Sequence, residues 1–329
     1  MHGNRTSNHS GLGLLLAGVL AVTAWGAPPG WQLTYGTGPS QVGYYNDKVN
    51  PKIEEASPFG PMAFRLDDGD LWLADSIGGR LLWLGAGGAL KGAMKVPGVG
   101  TDTLLEDIAL VKNQAGKVEA AWVADGADLF VRKLSVPAGR EIARVGGRGQ
   151  EPGLFTQIHQ LEVGPTGRLY VGDFGRAVIS IFDPAGKLLR ELPWERSGFA
   201  VDAQDRLSTI VYVEGAGYVW QRYSADGRLE KAVHLGLPAL QNPRLWWHER
   251  DGGIAVSFIP AGGFRGAITV YSFGPEGALL KKFSVRPPQG MNRYLARGED
   301  GVLWCAAADL DKAPKGAFRI VSLTAEGDK

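Results

Sequence analysis

The chain has 329 residues, 44% of them apolar, and carries 35 Lys and Arg against 34 Asp and Glu. So even a balance provides no field over the whole molecule to draw in phosphate backbones or anionic lipid, which argues against nucleic-acid binding as a main role. The 10 Trp, 12 Phe and 9 Tyr rule out a disordered chain, and the 48 glycines point to one rich in tight turns.

From Gly11 to Ala24 the sequence reads GLGLLLAGVLAVTA, with Arg5 upstream and the small residues Gly26 and Ala27 behind. This is the layout of a secretory signal peptide, so residues 1–26 are expected to be removed and the rest exported to the periplasm or the medium. The apolar run of about 14 residues falls short of the roughly 20 that span a bilayer, so the mature chain is expected to be soluble and not membrane-embedded. Cys305 is the single cysteine, which excludes an intrachain disulfide, a lipid-attachment cysteine after the signal and a C-x-x-C-H haem site. Its strand-like context, VLWCAA, predicts a buried thiol.

Trp31 to Tyr35, WQLTY, reads as an orphan strand, followed by the long segment 36–57, GTGPSQVGYYNDKVNPKIEEAS. Loops of that length inside a compact fold are usually functional or disordered. Tyr44, Tyr45, Lys52, Glu54 and Glu55 suit either a lid over a binding face or a plain tether.

The rest of the chain repeats. Short β-type runs recur as LWLAD at 71–75, AWVAD at 121–125, LYVGD at 169–173, LSTIV at 207–211, IAVSF at 254–258 and VLWCA at 302–306. Each follows a tight-turn pair, as in Asp68-Gly69, Thr166-Gly167 and Asp300-Gly301, where Gly and Asp tolerate positive φ. A second turn series closes each third strand, as in Gly87-Gly88, Pro184-Ala185-Gly186 and Pro275-Glu276-Gly277. Two turn series with one period define a unit of four strands repeated six times, with almost no helical periodicity.

That pattern predicts an all-β, six-bladed β-propeller of four-stranded antiparallel blades. The blades fall near 58–98, 104–146, 155–193, 198–236, 243–286 and 290–327, in one domain over 27–329. Too few residues follow Gly327 for a fourth strand in the last blade, and residues 31–35 are expected to supply it.

The stretch from Gly146 to Leu192, GGRGQEPGLFTQIHQLEVGPTGRLYVGDFGRAVISIFDPAGKLLREL, resembles an NHL repeat. The family's glycine-rich lead-in, V-x-D strand end and Arg before the third strand are all present. The blade at 60–91 fits as well, and the other four are looser. The resemblance implies the propeller fold, on which lyases, hydrolases and interaction modules all occur.

Function is best sought where each inner strand begins, because those positions ring one mouth of the central channel. In order they are Met62, Asp107, His159, Ser197 with Phe199, Arg244 with Trp246, and Asn292 with Arg293. This mixed ring suits an anionic or sugar-like ligand, with Trp246 or Trp247 as a stacking surface, or else a water-filled mouth. By the resemblance, His159 occupies the position of a zinc-binding histidine in the peptide-amidating lyases of NHL type, which need three. His234 and His248 stand elsewhere in their blades, so only Asp107 with one imidazole remains for a single divalent ion. Phe59 stands where the lactonase-type propellers carry a metal-binding Glu. Asp75 with Arg80 and Asp173 with Arg176 read as turn-stabilising pairs, and Asp67-Asp68-Gly69-Asp70 as a solvated turn without calcium-loop spacing. No G-x-S-x-G elbow, P-loop or C-x-x-C is present.

The expected function is a monomeric binding or scaffold module that needs no cofactor and holds a protein, peptide or glycan partner at the channel mouth. The alternative is a metal-assisted hydrolase or lyase around His159 and Asp107.

Overall fold

A computed structural model describes residues 29–46, 58–100, 103–237, 241–259, 267–288 and 290–323. It contains six four-stranded antiparallel sheets and, among the described residues, only two short 3-10 turns, Ala86–Gly88 and Leu310–Lys312. The sheets are the blades of a six-bladed β-propeller. Their innermost strands are Ala63–Asp67, Leu105–Lys112, Ile158–Val163, Phe199–Val201, Gln241–His248 and Leu295–Arg297.

Local chemistry accounts for the blades. Asp68 and Gly69 take φ of 46° and 74°, the mirror-image turn that matches the twist of paired strands. Middle strands such as Leu169–Asp173 are buried throughout, and their apolar side chains fill the spaces between neighbouring blades. Trp72, Leu81 and Met94 of blade one, for instance, pack with Leu105, Ile108, Val123 and Leu134 of blade two. Outer strands mix an exposed Leu or Ile with Lys or Arg, as in Leu90–Lys95 and Leu279–Val285, and the charges discourage pairing of these free edges with other chains.

Ring closure uses the amino terminus. The strand Pro29–Leu33 pairs antiparallel with Phe318–Leu323 and completes blade six. It begins two residues earlier than expected and also ends two earlier, where Tyr35 turns away to bridge Val42. Trp31 fixes the joint: its indole N–H donates to Gly85 O in blade one at 2.9 Å, and its ring meets Trp304 edge-on at 5.2 Å. Blade six also joins blade one through Arg293 N to Met62 O (2.9 Å) and Phe64 N to Arg293 O (3.2 Å). Blades four and five join through Leu245 N to Ser197 O at 2.7 Å. Here Gly198, at φ 70°, approaches so closely that a Cβ would lie 2.6 Å from Leu245 O.

Residues 36–46 form a strap. Arg80 donates through Nη2 to Gly38 O (2.9 Å) and Gln41 O (2.7 Å), while Gly43 N donates to Asp75 Oδ1 (2.9 Å). Tyr45 and Val42 are buried beneath. The Asp75–Arg80 pair, 2.8 Å apart, thus clamps a distant segment as well as its own turn. In blade three the expected pair separates: Asp173 accepts five bonds from the backbone or hydroxyl groups of residues 156–176, and Arg176 turns to Glu191 at 2.6 Å. Asp70 of the acidic turn is held by Lys91 and the Trp83 indole, and Asp67 by Lys112. Cys305 is buried, with its thiol pushed up to about 12 by burial. Lys52, Glu54, Glu55 and the expected signal segment lie outside the described residues. No helix among the described residues is long and apolar enough to cross a membrane.

Candidate functional site

The inner strands bring charged side chains from five blades into the channel. Antiparallel order places the loops that lead into the inner strands on one face, here the upper face, and the Asp-Gly hairpins on the other. Below the upper mouth, side chains cross the channel in two tiers.

The deeper tier is ionic. Arg293 grips Asp107 with both ends of one guanidinium edge, Nε to Oδ1 and Nη2 to Oδ2, each at 2.7 Å. Nη2 also reaches Glu162 Oε1 at 2.9 Å. Arg65 binds Glu162 Oε2 at 3.1 Å, Leu161 O at 2.6 Å and Ile108 O at 2.8 Å. Asp107 accepts further bonds from Ile108 N and Leu161 N, so its carboxylate is saturated by protein donors. The Asp107 and Arg293 side chains are 0% and 2% exposed. Burial alone would push the Asp107 carboxyl up, but the guanidinium against it prevails and holds it below the usual range. The same attraction overrides burial at Arg293 and holds its guanidinium above its ordinary value.

The upper tier is built on Asn292. Its Nδ2 donates to Glu106 O at 3.0 Å and His159 O at 2.5 Å. Its own main-chain O and Oδ1 accept from Arg244 Nη1 at 2.8 and 2.9 Å. Asn292 thus ties together the main chain of Glu106 and His159 and the Arg244 guanidinium at the rim of the mouth, and these three residues are half-buried.

These rim groups are electrically unusual. Burial, reinforced by the Arg244 charge, lowers His159 to about 3, so the imidazole is neutral at physiological pH. Burial, followed by repulsion from Arg293, lowers Arg244 to about 10. Its Nε and Nη2 are sealed from water and have no hydrogen-bond partner. Glu106 is pushed up to about 7 by burial, with the Asp107 charge added. A carboxyl raised in this way makes the fold bind a proton that the unfolded chain has already released, so stability is lost as pH rises from about 4.5 to 7 and levels off above. Glu106→Gln is expected to remove that loss: thermal melts should match wild type near pH 4.5 and exceed it near pH 8.

The structure brings His159, Arg244 and Asn292 together and places the other expected residues around them. Asp107 and Arg293 lie one tier down and form the floor. Met62 contributes backbone bonds to the ring closure and is buried. Ser197 bonds both the N–H and the carbonyl of Ile210, and Phe199 is buried in the core. The expected stacking role of Trp246 is not realised: at 2% exposure its N–H is spent on Ser257 Oγ, its edge meets Tyr294, and Arg244 covers its face at 4.3 Å. Trp247, half-buried, donates to Glu249. His248 packs against Trp220, below the mouth.

Sequence reading missed Arg65, Glu106 and Glu162. Arg65 and Glu162 carried a signal, since a charge inside an inner strand, AFRLD or IHQLEV, has no solvent to face. Among the described residues no three His, Cys, Asp or Glu side chains are grouped closely enough to hold a metal ion. A cleft of about 290 Å³ lies on the lower face between blades five and six, where the Arg297 guanidinium is already paired with Glu249.

No family model and no curated protein matches the chain. Among solved structures it is similar to a gluconolactonase from Xanthomonas campestris (14% identity over 90% of this chain and 99% of that one, TM-score 0.53). It is also similar to a luciferin-regenerating enzyme (13%, 82% and 92%, TM-score 0.52) and to virginiamycin B lyase from Staphylococcus aureus (14%, 75% and 77%, TM-score 0.50). At these identities the likeness shows the propeller fold alone.

Proposed function

We propose that the protein is a binding module, an exported propeller with NHL-type blades that seats a protein, peptide or glycan partner on the upper mouth of its channel. The observation that supports this reading is the convergence of four blades on Asn292 at the mouth. Asn292 joins the Glu106 and His159 carbonyls and the Arg244 guanidinium, from three other blades, above the Arg293–Asp107 pair. Convergent polar groups on a rigid scaffold are what recognition requires. The test is to probe peptide and glycan arrays with the chain from Ala27 onward and with its His159→Ala variant. Binding that weakens about tenfold or more in the variant supports the reading, whereas undiminished binding, or none to any array member, contradicts it.

Glu106 favours a second reading. A carboxyl titrating near 7 at the same mouth as a neutral imidazole suits proton transfer, as a metal-assisted hydrolase or lyase around His159 and Asp107 would need. Metal content decides between them. About one equivalent of zinc or calcium, retained through purification without chelator and lost in His159→Ala, favours the enzyme.

A further inference from the structure

We infer that the free edge of Arg244 is a carboxylate-binding site, and that a single carboxylate is the group through which the mouth recognises its partner. This deepens the binding reading above and rests on it.

Three guanidiniums enter the upper half of the channel. Arg293 is paired with Asp107 and Glu162, and Arg65 with Glu162. Arg244 forms no ion pair with any described residue, Glu106 included. Only its Nη1 is engaged, on the two oxygens of Asn292, while the Trp246 ring 4.3 Å away holds the guanidinium plane. A buried donor without an acceptor is costly, and a buried charge without a counter-charge more so. Native folds seldom keep both in one side chain unless something arrives to satisfy them.

The neighbouring arginine shows what fits. Arg293 uses its Nε and Nη2 to hold the two oxygens of Asp107 side-on, each at 2.7 Å. Arg244 leaves the same two atoms, Nε and Nη2, without partners. A planar group with two oxygens, one for each N–H, completes this edge as Asp107 completes the other. The charge agrees. Asp107 and Glu162 offset Arg65 and Arg293, and Glu106, titrating near 7, offsets part of the Arg244 charge at neutral pH, so at most one positive charge remains at the mouth, which matches a monoanion better than a phosphate dianion. Nε and Nη2 are sealed in this conformation, so the assignment requires a rotation of the half-buried side chain about its Nη1 anchor that turns this edge into the mouth.

The test uses the chain from Ala27 onward in calorimetric titrations at neutral pH. The probes are N-acetylglycinate, which presents a peptide-like carboxylate, and glucuronate, which presents a sugar carboxylate. Their uncharged counterparts are N-acetylglycinamide and glucose, and inorganic phosphate is the competing anion. At least one carboxylate is expected to bind about tenfold or more tightly than its uncharged counterpart and than phosphate. Arg244→Met should abolish that preference, and Arg244→Lys, which keeps the charge without the fork, should restore only part of it. Which carboxylate binds distinguishes a peptide partner from a glycan. Thermal melts establish that both variants fold. Equal affinity for charged and uncharged probes, tighter binding of phosphate, or a preference that survives in Arg244→Met overturns the assignment. If an array partner depends on His159 but binds Arg244→Met as well as wild type, the mouth remains the binding site and the carboxylate assignment alone fails.

Discussion

Arg293→Met is expected to destabilise the protein by about 3–5 kcal/mol, the range seen when one member of a buried ion pair is removed. The loss comes from what remains. Asp107, 0% exposed, keeps the Ile108 and Leu161 amides and a long contact to Arg65 at 4.0 Å, and Glu162 loses one of its two guanidinium contacts. The pH dependence should reverse as well. In the wild type, Asp107 is held below the usual carboxylate range, so its contribution is present above the unfolded value of about 4 and is lost as pH falls through the still lower folded value. Without Arg293 the burial effect is opposed only by Arg65, 4.0 Å away, and by two main-chain amides, and it should prevail and raise the carboxyl, so the variant should lose stability as pH rises above about 4. Adding Asp107→Asn should recover part of the deficit, because the pair is coupled. Denaturant titrations of the single and double variants at two pH values check all three statements.

Trp31→Ala is expected to cost about 3–5 kcal/mol, as for other buried aromatic truncations. Trp31 is buried in the closing strand, bonds Gly85 of blade one and packs on Trp304 of blade six, so it couples two blades that are far apart in sequence. A propeller without its closure exposes a strand edge, and Phe318–Leu323 would lose its outer partner. Hydrogen exchange should therefore show Phe318–Leu323 deprotected first, with Ile158–Val163 of blade three changed least. Uniform deprotection of all six blades would indicate that the ring melts as one unit.

The repeat was legible because its determinants are local. Pairs such as Asp68-Gly69 and runs such as LYVGD encode hairpins within a few residues, and six copies of one period specify the ring. The closing strand was legible by default, as a β-type run without a neighbour, but the point where Tyr35 leaves it depends on Val42. The channel mouth was partly legible, since counting to the start of each inner strand reaches His159, Arg244 and Asn292. What remained hidden is non-local. Arg293 finds Asp107 across 186 positions, and Arg176 prefers Glu191 to the nearer Asp173. In blade two, Arg132 reaches Asp125 at 3.3 Å from seven residues on, a spacing unlike that of the pairs in blades one and three. The burial of Trp246 follows from Arg244 and Tyr294 closing over it, which no spacing rule reveals.

The central claim is that two arginines of one channel differ in kind, Arg293 paired within the fold and Arg244 held for a ligand. The most direct test compares the thermal melts of Arg293→Met and Arg244→Met without added ligand. Arg293→Met is expected to melt well below wild type and Arg244→Met at or above it, because removing an uncompensated buried charge relieves the fold. An Arg244→Met variant destabilised as much as Arg293→Met would contradict the account, showing that Arg244 already has its partner inside the protein.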